Sequence, residues 1–254
     1  ISFILIDGAI IPFTLKKNYF LQVCQFLFYP LKFNKRLPET DEKNILEICV
    51  NYFKEQRCID RIIPPSNYVI FKAVPDKSIF CEFGTYDINL EMPVETIWNN
   101  IHSKHKNVIR NAEKNNVQIS YGKNTLNDFY QLYQKTMIRS NMYCESKNHF
   151  SELMDKFSNN IICGVAYVNG NPVGGLFIPY SQYGAYYTHG ASADTTIVNG
   201  AINYLHWNTM KVLKEKGVLR YDFVGARLSD ISGTKLSGIQ QFKYRFGKKK
   251  KKGF

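Results

Sequence analysis

Residues 164–180 read GVAYVNGNPVGGLFIPY. Two apolar, β-type runs flank Asn169-Gly170, and Asn-Gly suits a type I′ hairpin turn because both central residues there take positive φ. A third run, AYYTHG at 185–190, follows the break 181–184 and extends the hairpin into a meander. The chain opens with the same device: ISFILI, then Asp7-Gly8, then AIIPFTL.

A helical pattern follows each hairpin region. Thr40 can cap the first, with Asp41 and Glu42 in its opening turn. Ile45, Leu46, Cys49, Tyr52 and Phe53 form its apolar face, and Lys54-Glu55 leads into the strand-like CIDRII at 58–63. The second helix starts near Gly200 and buries Ala201, Tyr204, Leu205, Met210, Val212 and Leu213. It leads through Lys214-Glu215 into VLRYDFVG at 218–225. Hairpin, helix, Lys-Glu and strand thus occur twice, which argues two related lobes rather than one continuous sheet.

Between them, Val94, Ile97, Trp98, Ile101, His105, Val108, Ile109 and Ala112 fall at helical spacing. Lys104, Lys106, Arg110 and Lys114 lie largely off that stripe, so 94–116 reads as a basic amphipathic linking helix with a break near Ser103. Further helices are expected over 126–140 and 150–157. The tail Lys248–Lys252 lacks any apolar residue to pack and is expected to be disordered. The division read from these patterns is 1–93, 94–247 and 248–254.

The 254 residues are 44 % apolar and 21 % charged, which excludes collagen, a coiled coil and wholesale disorder. Thirty-three Lys and Arg against 21 Asp and Glu leave +12. Such an excess suits either an anionic partner or a solvated basic surface. The 6 cysteines form no CxxC pair, so a reducing cytosol is expected rather than a disulfide framework or zinc site. The most apolar run, Leu21–Leu31, is broken by Gln22, Gln25 and Pro30 and is too short to span a bilayer.

Standard catalytic patterns are missing: no GxxxxGK, GxSxG, HExxH or GxGxxG occurs. His102 and His105 have no carboxylate or cysteine at ligand spacing, so no metal is expected. His189 and His206 read as packed or surface histidines. Gly174-Gly175 either lets a ligand approach the backbone or marks a strand bulge. The most informative segment is GIQQFKYRFG at 238–247, where Lys243 stands between Phe242 and Tyr244 with Phe246 beyond. A cation among rings can stabilise an oxyanion or hold a phosphate. The plain alternative is a lysine whose stem lies along an amphipathic element.

The ordered series SKHKNVIRNAEK (103–114), FYQLYQKTMIRSNMY (129–143), the NPVGG hairpin, the helix around Tyr204–Trp207, GVLRYDFVG (217–225) and GIQQFKYRFG resembles the FemABX family of bacterial peptidoglycan-bridge aminoacyltransferases. More loosely it is similar to the GNAT acetyltransferases. The run 61–90, RIIPPSNYVIFKAVPDKSIFCEFGTYDINL, resembles the same family. The resemblance implies two GNAT-like α/β lobes, each a mixed sheet flanked by helices, the first looking truncated here and without the family's helical-hairpin arm. It implies transfer of an amino acid from aminoacyl-tRNA to an amine of a lipid- or nucleotide-linked peptidoglycan precursor, with no further cofactor. The setting implied is the cytoplasm, with peripheral contact at the inner face of the membrane.

By the same resemblance, Lys243 and Phe242 match the catalytic FKxxFG motif. Arg139 matches an arginine that holds precursor phosphates, and Tyr143 lies one turn on if the helix continues. Tyr187 matches a cleft tyrosine. Lys104, Lys106, Arg110 and the lysine tail are candidates to meet tRNA. The usual acyl-CoA loop pattern is missing, with TTIVNGA (195–201) near its place. An aminoacyl ester is already activated, so orientation and oxyanion stabilisation suffice without an enzyme nucleophile. Asp222 is a conceivable base or a structural aspartate. Two other functions remain open: a CoA-dependent N-acyltransferase acting on a sugar or amino-acid amine, and a non-catalytic RNA- or anionic-surface-binding protein.

Overall fold

The structure, a computed structural model, describes residues 1–33, 35–55, 59–63, 69–80, 82–194, 198–227, 233–247 and 250–253. The chain divides into two compact units. One comprises Ile1–Thr85, Gly225–Gly233 and Lys251–Phe254; the other comprises Tyr86–Val224 and Thr234–Lys250.

In the first unit, β1 (Ser2–Ile6) and β2 (Ala9–Asn18) form the expected hairpin. Asp7 and Gly8 take φ of 49° and 77°, the two positive values a type I′ turn requires. β3 (Leu21–Phe26) pairs antiparallel with β2. β4 (Leu31–Lys32) and β5 (Lys35–Arg36) make a small hairpin on the start of β2. α1 (Glu39–Glu55) then leads to β6 (Arg61–Ile63), which lies parallel to β3. The sheet order is β5-β4-β2-β3-β6, with β1 on β2.

The core side of α1 carries Ile45, Leu46, Cys49 and Phe53, as the spacing predicts, and they share a core with Ile11, Phe13 and Phe26. The helix starts at Glu39 rather than after Thr40. The Glu42 amide donates to the Pro38 carbonyl at 2.9 Å, and proline's fixed φ favours a helix start. Glu42, expected as a first-turn carboxylate, is fully buried. It accepts from the backbone amides of Lys72 and Ala73 and pairs with Arg36 Nε at 3.3 Å.

The division between the units falls inside β7 (Phe83–Asn89). The second unit continues with α2 (Val94–Asn100), α3 (Ser103–Lys114), β8 (Gln118–Tyr121), α4 (Leu126–Arg139) and α5 (Lys147–Lys156). Then come β9 (Ile161–Val168), β10 (Asn171–Ser181), β11 (Gly184–Tyr186), β12 (His189–Ser192), α6 (Ala201–Glu215) and β13 (Arg220–Asp222). Its strands follow the order β7-β13-β11-β10-β9-β8, with β12 also on β10. β11 and β13 are parallel and the other pairs antiparallel, so this sheet, like the first, is mixed. The expected mixed α/β fold is therefore present in both sheets.

Four local readings are sharpened. The linking helix is two helices: Ile101 takes ψ of 134°, and the His102 imidazole caps α3 by accepting the Lys104 amide at 3.1 Å. The third run of the meander is split into β11 and β12, with Tyr187-Thr188 between them. The register shifts between Pro172 and Gly174, so the bulge reading holds there. A Cβ on Gly174 would lie 2.6 Å from Ile202 of α6, and one on Gly175 would lie 3.0 Å from Phe129 of α4. These glycines let helices pack closely on the sheet.

After β13 come β14 (Ala226–Arg227), α7 (Lys235–Phe246) and β15 (Lys250–Gly253). β14 pairs with Phe83 and Gly84 of β7. The expectation of a disordered lysine tail is corrected over 250–252, because β15 also pairs with β7. Backbone hydrogen bonds need no apolar side chain, which is why composition misled there. Lys248 and Lys249 lie outside the described residues.

Candidate functional site

β13 ends at Asp222, and the chain then turns sharply. Val224 and Gly225 take φ of 52° and 69° in succession. A β-branched residue there is strained. Two side chains hold the turn. Asp222 Oδ1 accepts the Val224 amide at 2.8 Å, and Lys243 Nζ, reaching from α7, donates to the Val224 carbonyl. Asp222 is itself buried, and its bond to the turn gives it a structural role.

Burial lowers the pKa of Lys243 to about 8, against which the nearby Asp222 carboxylate acts in the opposite direction. Lys243 is thus a cation at neutral pH, held in a poorly solvated place where a charge acts strongly. The packed-in position differs from that of a lysine with its head in solvent.

Phe242 and Phe246, one turn apart on α7, enter a ring cluster with His105, His206 and Phe223. His105 Nε2 lies 3.0 Å from the Phe242 carbonyl and ties α7 to α3. Burial lowers its pKa to about 4, so it stays neutral and its ring N–H donates that bond. His206 Nδ1 lies 2.7 Å from the Tyr221 hydroxyl. Burial, with His105 and Lys243 adding to it, pushes His206 down to about 3. Both histidines are packed structural groups.

Tyr187 joins the same cluster. Its ring centroid lies 4.5 Å from that of His206, and its amide donates to the Asp222 carbonyl at 2.9 Å. Burial raises its pKa to about 12. A Cβ on Gly190 would fall 1.7 Å from the Tyr187 hydroxyl, so Gly190 is what admits this side chain. The structure therefore brings Tyr187 and Phe242, far apart in sequence, into one ring cluster with His206 and Phe223, while Lys243, next to Phe242, meets the turn that follows Asp222.

The other expected residues stand elsewhere. Arg139 closes α4, forms an ion pair with Asp194, and donates from Nη2 to Ser192 Oγ at 3.0 Å. Tyr143 is off the helix, which ends at Arg139 and is followed by Asn141 at φ 51°, and its side chain is 80 % exposed. On α3, Lys104 is exposed. Lys106 Nζ bonds the Asn99 carbonyl at 3.0 Å, and the Arg110 guanidinium stacks 5.4 Å from the Trp98 ring centroid. A cavity of about 660 Å³ is walled by Asn99, His102, Lys106, Phe246 and Gly247; Lys243 is not on its wall. Among the described residues no three His, Cys, Asp or Glu side chains gather as a metal site. No helix there is long and apolar enough to cross a membrane. The segment considered for an acyl-CoA loop falls in part, at 195–197, outside the described residues.

The model of the FemAB family matches residues 84–173. That segment belongs to the FemAB family. The FemAB segment runs from β7 into β10, and the FKYRFG stretch on α7 lies beyond it. The crystal structure of FemX superposes with a TM-score of 0.73 at 12 % identity, covering 97 % of this chain and 83 % of that one. The C-terminal domain of a putative lysylphosphatidylglycerol synthetase from Agrobacterium fabrum gives 0.58 at 11 % identity, covering 99 % and 82 %. L-PGS from Bacillus licheniformis gives 0.53 at 12 % identity, covering 96 % and 79 %. At these identities the likeness is one of fold. No curated protein matches the chain in sequence.

Proposed function

We propose that the chain transfers an aminoacyl group from aminoacyl-tRNA to an amine of a peptidoglycan precursor. The observation that carries this reading is the buried lysine of FKYRFG, fixed on a strained carbonyl beside Asp222, in a chain with a FemAB segment and a FemX-like fold. The acceptor nitrogen bonds to the ester carbonyl carbon and the bond from that carbon to the ribose oxygen breaks. The proton shed by the amine ends on the ribose oxygen. Negative charge gathers first on the carbonyl oxygen and then on the leaving oxygen. A preorganised cation in a low-dielectric site stabilises both. The Val224 bond takes one of the three ammonium N–H groups and so orients the charge.

In this reading Phe242 and Tyr187 shape the apolar wall around Lys243. Arg139 exchanges its exposed partner Asp194 for a precursor phosphate, which a guanidinium grips with two parallel bonds. Tyr143, exposed beyond the end of α4, lines the approach. Lys104, Lys106 and Arg110 face the tRNA backbone, and such contacts make affinity fall with salt. The work takes place in the cytoplasm, at the inner face of the membrane when the precursor is lipid-linked.

A second reading comes from the fold neighbours that include a putative lysylphosphatidylglycerol synthetase: the acceptor is a hydroxyl of an anionic lipid headgroup. Transfer assays with purified aminoacyl-tRNA or acyl-CoA, with and without ribonuclease, and with nucleotide-linked precursor, lipid-linked precursor or phosphatidylglycerol as acceptor, decide among the readings. Ribonuclease-sensitive amide formation on a precursor supports the proposal. Ester formation on the lipid selects the second reading, ribonuclease-resistant transfer from acyl-CoA selects a CoA enzyme, and RNA binding without transfer to any acceptor selects a binding protein.

A further inference from the structure

The β2–β3 hairpin of the first unit has a two-residue loop, Tyr19-Phe20, between the paired residues Asn18 and Leu21. Tyr19 takes φ of 53°. A positive φ at the first loop position is where a two-residue hairpin ordinarily places glycine. The chain instead puts an aromatic residue there and follows it with another. Tyr19 is 89 % and Phe20 96 % exposed, and the flanking Leu15 and Leu21 are about half exposed. Lys16 and Lys17 are exposed immediately before the loop. Lys16 Nζ donates to Gln25 Oε1 at 2.7 Å, across to β3 on the side away from the loop, which leaves two of its N–H groups for other acceptors. Asp60, an acid near this end, accepts the Gln22 amide on its carboxylate at 2.6 Å.

From these features we infer that the β2–β3 tip is an interfacial anchor for an anionic lipid surface. Exposed rings at a projecting turn gain by entering the headgroup region, where Tyr, Trp and Phe have an apolar place to go. Adjacent lysines gain from the negative surface potential of anionic lipid. Rings and cations at one tip match that chemistry, whereas either alone would be an ordinary surface feature. The turn keeps a strained aromatic where glycine would relieve it, which gives the rings a purpose other than folding. The anchor concerns the first unit alone and is read without any transfer assay, so it stands or falls separately from the proposed reaction.

The test is sedimentation of the whole chain with vesicles of phosphatidylglycerol and phosphatidylcholine against phosphatidylcholine alone. Wild type is expected to bind the anionic vesicles and to be released by 1 M salt, where screening acts over only ~3 Å. Lys16→Gln with Lys17→Gln should lower the partition about 25-fold, at ~1 kcal/mol per lysine. Tyr19→Gly with Phe20→Ser should lower it at least tenfold while the melting temperature holds or rises, because glycine suits the turn. Phe33→Ser is the control: Phe33 is 83 % exposed but follows β4, which pairs with the opposite end of β2. Equal binding by the Tyr19/Phe20 variant and wild type, or an equal loss with Phe33→Ser, overturns the inference. So does concentration-dependent self-association without lipid that the tip variant abolishes, since the tip would then be a contact between copies.

Discussion

Replacing Lys243 with Met tests catalysis and stability together, and the two are expected to move in opposite directions. Burial brings this ammonium from the ordinary lysine value of 10.5 to about 8. That gap corresponds to about 3 kcal/mol held against the folded state at neutral pH. The unfolded chain binds the proton up to about 10.5 and the folded chain only up to about 8. Wild-type stability should therefore rise with pH between those values and stay flat below them. Met keeps the apolar stem and removes the charge, so Lys243→Met should melt at least as high as wild type at pH 7. It gives up the Val224 bond, worth ~1 kcal/mol, which leaves a net gain of about 2 kcal/mol.

Turnover should fall by roughly 10²- to 10³-fold, the usual loss when an oxyanion donor is removed. Because the cation is the working form, wild-type turnover should also decline above pH 8, about tenfold per pH unit, and the variant's residual rate should lack that limb. Single-turnover transfer from aminoacyl-tRNA across pH 6–10, beside thermal melts at the same pH values, reads all of this. A Met variant within threefold of wild type, or one that keeps the alkaline limb, would refute the role assigned to Lys243. A variant that loses several kcal/mol would show that the lysine serves the fold.

Gly190→Ala should destabilise the chain by ~1–3 kcal/mol in a denaturant melt, since the new methyl overlaps the Tyr187 hydroxyl; adding Tyr187→Phe should recover only part of the loss, because the ring Cζ still lies 2.5 Å from the new methyl, whereas Tyr187→Leu should recover more. Glu42→Ala should cost ~2–4 kcal/mol, because it strands two backbone amides and removes one of the two acceptors of Arg36, which keeps the Ile70 carbonyl; a loss below 1 kcal/mol would contradict that network. Arg139→Lys should change stability by less than ~1 kcal/mol, as its ion pair with Asp194 is exposed, while weakening a nucleotide-linked precursor measurably by calorimetry; unchanged affinity would remove Arg139 from the site.

What the sequence made legible was local. Asp7-Gly8 and Asn169-Gly170 announce their hairpins because the turn constrains its own two residues, and φ of 50° and 77° at the second pair repeats the geometry of the first. The stripe on α1 is readable because one face meets the core. The ends of elements were less so. α4 stops at Arg139, within a residue of the end read over 126–140, so Tyr143, placed one turn on only if the helix continued, lies off it. His102 is a helix cap that its residue type does not advertise. Gly190 carries no local turn signal, because its requirement comes from a tyrosine hydroxyl packed above it. The aromatic surroundings of Lys243 were visible within FKYRFG, whereas His105, His206 and Phe223 come from separate elements and pattern alone could not join them.

Strain and buried charge meet at Val224. An unfavourable backbone geometry of this kind costs ~1–3 kcal/mol, and the buried cation that faces it costs about as much again. In the reaction proposed here, neither expense is incurred for folding. A glycine at 224 would ease the turn, and an apolar side chain at 243 would fill the space without a charge to desolvate. Asp222 and Lys243 instead grip the two polar backbone atoms of Val224, one at its amide and one at its carbonyl, and His105 ties α7 in place at the Phe242 carbonyl. Strain and charge are thus locked at one point from three elements. In the reaction proposed here, holding a cation still while negative charge develops nearby would gain from that rigidity, and stability would be given up at this point rather than in the well-packed face that Phe129, Phe150 and Phe177 form elsewhere in the same unit.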